Sequence, residues 1–181
     1  MNNPSSKQSP AVRWVVMGVS GCGKSSIGQG LADALGCRYL EGDSFHPAAN
    51  VAKMSAGIPL TDADRSDWLL RLQGEIATAQ AKGESLVLSC SALKRRYRDL
   101  LRSGDPALRF AHLAGPREII AARMAARVDH YMPPSLLDSQ LRDLEPLQDD
   151  EAGVLLNLAD TPEQLVATIV RSMKPSASLS A

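Results

Sequence analysis

The chain has 181 residues, 44% of them hydrophobic, enough apolar material for the core of one compact domain. Its 20 basic residues balance 20 acidic ones, so no net field draws it to nucleic acid or an anionic membrane surface, and a small-molecule partner is expected. Three widely spaced cysteines, Cys22, Cys37 and Cys90, exclude a zinc wrap and a disulfide framework, and no apolar run approaches the roughly 20 residues that span a bilayer. With no charged-then-apolar leader at Met1 to Ser6, a soluble cytoplasmic protein is expected.

Residues 1–10 and 174–181 are rich in Ser and Pro without apolar periodicity and read as loose tails around a single domain, 11–173. Val12 to Met17 is a short apolar run ending in glycines, followed by a helix with Ile27, Leu31, Ala34 and Leu35 on one face. Cys37 to Leu40 is a second strand. Asn50 and Lys53 fall on a short helix. Trp68, Leu69, Leu72, Ile76 and Ala79 mark the buried face of a longer helix, with Trp68 in the core, and Leu86 to Leu88 is a third strand. Leu93 to Leu101 reads as a helix and Phe110 to Leu113 as a fourth strand, in which His112 is expected to be structural. Pro116 opens a helix through Met124. Val154 to Leu156 is a fifth strand, and Thr161-Pro162-Glu163-Gln164 is a capping box that starts the last helix. Strands alternating with helices predict a three-layer α/β domain, a five-stranded parallel sheet with helices on both faces.

Gly18-Val19-Ser20-Gly21-Cys22-Gly23-Lys24-Ser25 matches GxxxxGK[ST] and lies between the first predicted strand and helix, the context that this phosphate-binding loop requires. Backbone N–H groups over Gly18, Ser20, Gly21, Cys22, Gly23, Lys24, Ser25 and Ser26 are expected to wrap the phosphates of ATP. Lys24 is expected to reach the β- and γ-phosphates, and Ser25 to offer a hydroxyl to Mg²⁺. No NKxD is present to read guanine, and the DxxG at Asp150 to Gly153 precedes the last strand, so a GTPase switch is disfavoured. The middle strand ends Leu88-Ser89-Cys90-Ser91 without the acid of a motor ATPase. A kinase of a small hydroxyl-bearing metabolite remains.

Such an enzyme must keep water from the γ-phosphate, and a helical lid over about 123–140 carrying Arg123 and Arg127 is expected to do so and to reach the moving phosphoryl group. Asp43 follows the second strand, so it falls at the carboxyl edge of the sheet and is the expected base or hydroxyl-orienting group, reaching Mg²⁺ through a bridging water. After the third strand, Lys94 and Arg98 stand at i, i+4 spacing, two cations suited to an acidic acceptor.

These residues together resemble the gluconokinase family. The resembling blocks are Met17 to Gly21, Gly42-Asp43 to His46-Pro47, Asn50 to Lys53-Met54 and Gly57 to Leu69. They continue with Cys90 to Asp99, His130 to Pro133, Ser139-Gln140 and Leu144-Glu145-Pro146, nearly the whole chain between the tails. Departures are Glu41 where Asp is common, Tyr131 where Phe is common, Leu141 where an aromatic is common, and Val128-Asp129 in the lid where a Lys-Gly pair is common. The resemblance implies an ATP:D-gluconate 6-phosphotransferase of P-loop kinase fold, typically a homodimer. It implies Asp43 beside the reacting hydroxyl and His46, Lys53, Arg65, Lys94, Arg98, His130 and Gln140 as gluconate contacts. Rival readings are a kinase of the same fold acting on another hydroxy acid such as shikimate, and a nucleotide-binding regulator without catalysis.

Overall fold

The computed structural model describes residues 10–126 and 134–173. Arg127, His130 and both tails apart from Pro10 lie outside the described residues, as does the middle of the expected lid. Strands β1 (Arg13–Met17), β2 (Arg38–Glu41), β3 (Leu86–Ser89), β4 (Arg109–Ala114) and β5 (Gly153–Asn157) form one sheet in the order β2-β3-β1-β4-β5. Every pairing is parallel, with Val15 of β1 beside Leu88 of β3 and Phe110 of β4.

Alternation along β1 builds both halves of the core. Trp14 and Val16 face a cluster that includes Leu31, Ala111, Leu156 and Ile169, under helices α1 (Lys24–Leu35) and α7 (Pro162–Ser172). Val15 and Met17 face Trp68, Leu72, Ile76, Leu88 and Phe110, under α3 (Asp62–Lys82) and α4 (Arg95–Arg102). Central strands buried on both faces favour near-continuous apolar runs, as in β1, β3 and β4, whereas the edge strands β2 and β5 are only partly buried. Helices α2 (Ala48–Ser55), α5 (Arg117–Ala125) and α6 (Leu137–Asp143) complete the set.

Local chemistry sets the helix ends. Thr61 accepts from Asp64 N–H while the Asp64 carboxylate takes Thr61 N–H, a capping box that starts α3, and Gly83 in the left-handed region ends it. Thr161 and Gln164 do the same for α7, with Pro162 at its first position. The buried face of α1 is Ile27, Gly28, Leu31 and Ala32, so Ala34 turns out to be exposed. Helix α4 starts at Arg95, two residues later than the sequence predicts, because Ala92 takes φ 43 and Lys94 is extended at φ −102, ψ 147.

Gly42 is required by close approach. A Cβ at Gly42, just after β2, would stand 2.1 Å from the carbonyl oxygen of Ser89. Trp68 Nε1 donates to the Gly42 carbonyl at 2.8 Å, so the turn that follows β2 is pinned to the core from two sides.

On the α4 side, the Glu151 side chain is wholly buried and receives Arg98 Nε and Nη2, each at 2.7 Å, and Arg102 Nη2 at 2.9 Å. Burial opposes its charge, but hydrogen bonds from Arg98 and the Gln148 N–H, with Arg102 adding to them, outweigh it and hold the carboxyl at about 2. The folded value lies below the unfolded one, so this stabilisation is full above the ordinary carboxylate range and is lost as pH falls towards 2. Acid titration monitored by circular dichroism is therefore expected to show Glu151→Gln unfolding with a shallower pH dependence than wild type below about pH 4.5; superimposable profiles would remove Glu151 as a source of acid sensitivity. His112, buried in β4, is kept neutral, down to about 4, by burial and then by the Arg98 charge, with Glu151 opposing.

Candidate active site

The phosphate loop links β1 to α1 at the carboxyl edge of the sheet. Gly23 caps α1 at φ 96, so the first helical amides open towards the loop, and the exposed Ser25 and Ser26 hydroxyls border it. Gly21 at φ 82 is required twice over, since a Cβ there would also meet Met124 Cγ at 2.3 Å, where α5 packs against the loop. Lys24 Nζ reaches across to the Val19 carbonyl at 3.0 Å, and Gly18 N–H donates to Ser91 O at 3.3 Å. From α6, the buried Gln140 accepts Ser20 N–H through Oε1 at 2.7 Å. Gln140 therefore braces the loop as well as lining the cavity formed with Met54, Leu60, Arg65, Leu136 and Ser139.

Glu41, the last residue of β2, is a site residue whose role the sequence reading missed. Its carboxylate accepts Tyr39 Oη–H at 2.8 Å and a short bond from the Ser89 hydroxyl. Burial would raise it, but bonds from the Ser25, Ser89 and Tyr39 hydroxyls and the Asp43 backbone together hold it below the ordinary carboxylate range. Ser25 and Glu41 thus present adjacent hard oxygen donors, the chemistry that Mg²⁺ takes. Among the described residues, no group of three or more His, Cys, Asp or Glu could hold a metal alone. An ion carried mainly by phosphates needs only one or two protein oxygens. The available signal was an acid ending a strand at the ligand-binding edge.

Asp43 lies in the 3₁₀ turn Gly42–Phe45, half-buried. His46, at the end of this turn, stacks on Trp68 with ring centroids 4.1 Å apart and lies near Asn50 Nδ2 at 3.4 Å. Burial lowers His46 to about 4, with Asp43 raising it and Arg65 lowering it, so at neutral pH its ring is uncharged. The buried Cys90 thiol is pushed up to about 12 by burial and by Asp43, while Lys24 and Arg65 pull the other way. Lys24, Asp43 and Arg65, from three distant stretches of sequence, therefore act electrostatically on one point at the end of β3.

Of the four cations assigned to the acceptor side, three are already committed. Lys53 pairs with Asp64 at 2.6 Å, and Lys94 with Asp62 at 3.1 Å and Asp143 at 3.8 Å. Arg98 is fully buried on Glu151 and on backbone carbonyls, so the expectation that it contacts gluconate is corrected: its guanidinium faces the interior. The i, i+4 pairing of Lys94 with Arg98 also fails, because Lys94 precedes the helix. Arg65 differs. It is 6% exposed on α3, has no carboxylate partner among the described residues, and its Nε is buried without a hydrogen-bond acceptor. Arg123 is exposed and donates to Leu158 O at 3.1 Å, outside this cluster.

A phosphate loop facing a carboxylate and a buried cation across one sheet edge defines the class: a P-loop kinase acting on a small acceptor. Residues 14–147 match the family described as AAA domain, a nucleotide-binding P-loop unit. The chain is 45% identical to the gluconokinase of Gluconobacter oxydans over 157 residues, covering 87% of this chain and 88% of that protein. Among solved structures, it is similar to a sugar kinase from Janibacter (48% identity, TM-score 0.85, 91% of this chain and 96% of that one). A gluconokinase from Sinorhizobium meliloti is similar at 44% identity with a TM-score of 0.81, over 90% and 91% of the two chains. The chain belongs to the gluconokinase family.

Proposed function

We propose that this chain transfers the γ-phosphoryl group of ATP to the 6-hydroxyl of D-gluconate, giving 6-phospho-D-gluconate and ADP. The observation that carries the acceptor class is Arg65, a buried guanidinium that makes no ion pair among the described residues and whose Nε has no acceptor. Leaving such a charge uncompensated is costly, and a substrate carboxylate supplies the missing partner. His46, Lys53, Lys94, His130 and Gln140 surround the sugar chain in this reading, and Asp43 aligns the hydroxyl or takes its proton.

Ser25 and Glu41 would hold Mg²⁺, with Asp43 reaching it through water, and the ion would supply positive charge that offsets the phosphates. Lys24 and the loop amides bind the β- and γ-phosphates. Arg123 and Arg127 act from the lid on the transferring group, which requires Arg123 to leave the Leu158 carbonyl. The enzyme works as a cytoplasmic homodimer.

ADP release with Mg²⁺·ATP over a panel of gluconate, other sugar acids, shikimate and glycerate tests the reading; turnover of shikimate in place of gluconate would replace the acceptor while keeping the kinase. Arg65→Met is expected to raise the gluconate KM by about 10- to 100-fold with the ATP KM little changed. A gluconate KM equal to that of wild type would remove Arg65 as the carboxylate seat.

A further inference from the structure

The buried Arg98 makes more bonds than an ion pair requires. Besides Glu151, its Nη1 donates to Ala92 O at 3.1 Å, Leu93 O at 3.3 Å and Glu145 O at 3.0 Å, and its Nη2 to Pro146 O at 3.3 Å. One planar fork therefore gathers carbonyls from two segments far apart in sequence. A single ammonium cannot reproduce this, because its three donors are not held in a plane.

The first segment, Cys90 to Lys94, connects β3 to α4. Ala92 within it is the non-glycine residue that takes a positive φ among the described residues, at 43°, a conformation that an L side chain resists and that the surrounding structure must hold. Ser91 O receives the N–H of Gly18 in the phosphate loop, and Lys94 follows directly. The second segment returns from α6. Glu145 N–H donates to Leu93 O at 2.8 Å, and the Glu145 carboxylate accepts Arg95 N–H at 2.6 Å. Helix α6 itself carries Gln140, bound to Ser20 N–H. Both segments gripped by Arg98 thus lead to the phosphate loop, one through Ser91 and the other through Gln140.

We infer that Arg98 is a positioning residue for phosphoryl transfer: its fork fixes the left-handed turn at Ala92 and docks the return from α6 against it. In this way it holds Lys94 and Gln140 in place on the acceptor side of the loop. The role rests on the gluconate reading above. Arg98 touches no substrate and acts only through the residues that do.

Three variants separate this role from plain stability. Arg98→Lys keeps a cation beside Glu151 and loses the fork. Arg98→Met combined with Glu151→Leu removes the pair without leaving a buried charge alone, a replacement that buried ion pairs tolerate. Glu151→Gln leaves the fork on its carbonyls.

The first two are expected to raise the gluconate KM by about tenfold or more and to lower kcat, with the dissociation constant for ATP within about twofold of wild type. Glu151→Gln is expected to lower the melting temperature while keeping the gluconate KM within about twofold of wild type. A gluconate KM that tracks melting temperature across all three overturns the assignment. So does a wild-type KM in a folded Arg98 variant, or failure of both Arg98 variants to fold. Wild-type turnover of gluconate is the separate control. Its absence sinks the gluconate reading and this role with it, whereas an active wild type with unchanged variants sinks this role alone.

Discussion

Replacement of Lys24 by alanine is expected to lower kcat for gluconate phosphorylation by about a thousandfold, with a parallel loss of ATP affinity. Lys24 is the first residue of α1, and its ammonium already spans the phosphate loop to the Val19 carbonyl. In phosphoryl transfer there is little covalent chemistry for the protein to do, so stabilising charge on the moving group is most of the catalysis. Loop amides are dipoles and Lys24 is a full charge, so removing it takes away the larger contribution on that side. The fold should survive, because among the described residues the side chain makes one hydrogen bond, to a neighbouring loop carbonyl. Steady-state ADP release together with calorimetric ATP binding on a variant with a wild-type melting temperature is the check. Wild-type turnover there would discredit the loop assignment.

Asp43→Asn should cut kcat by about 10²- to 10⁴-fold while leaving ATP binding within about twofold of wild type. The substitution preserves shape, and the turn that carries residue 43 is fixed independently of its side chain. Gly42 N–H is held by the Ser89 hydroxyl at 3.3 Å, and Trp68 holds the Gly42 carbonyl. What changes is the ability to accept the hydroxyl proton. The neighbouring ring of His46 is uncharged at neutral pH and stacked on Trp68, so it does not replace that carboxylate in orienting a polar acceptor by charge. Burst-phase kinetics with gluconate in excess would isolate the chemical step. A burst rate equal to that of wild type would confine Asp43 to a bystander role.

The sequence displayed the inner strands well because parallel strands covered on both faces favour near-continuous apolar runs. Val12 to Met17, Leu86 to Leu88 and Phe110 to Leu113 each fall within an observed strand or extend it by one residue. Helix α3 was legible for a related reason: Trp68, Leu69, Leu72, Ile76 and Ala79 keep helical spacing, and all five are buried. The same spacing places Arg65 one turn before Trp68 on that buried face, a signal that an arginine there points inward. Arg98 gave no such signal. An arginine within Arg95-Arg96-Tyr97-Arg98 reads as a solvated charge run, and the carboxylate that takes it into the core lies 53 residues away. The left-handed turn at Ala92 was equally hidden, since alanine carries no mark of positive φ. Lys53 and Lys94 were visible as cations, but not as cations already paired, because their partners Asp64 and Asp62 belong to a different helix.

The strand order has a consequence for how the chain comes together during synthesis. β1 leaves the ribosome first, yet its two neighbours are β3 and β4, so the Val15 pairings wait for Leu88 and then Phe110 to emerge. The phosphate loop hangs from the end of β1, and α1 gains its partner α7 only when the last helix is made. A nascent chain that has already exposed every residue of the nucleotide motif therefore carries it on a strand with open edges. Closing loops of this length before contacts reward them is slow compared with local helix formation. Until β4 docks, the apolar edge of β1 is the surface that a holding chaperone would have to shield.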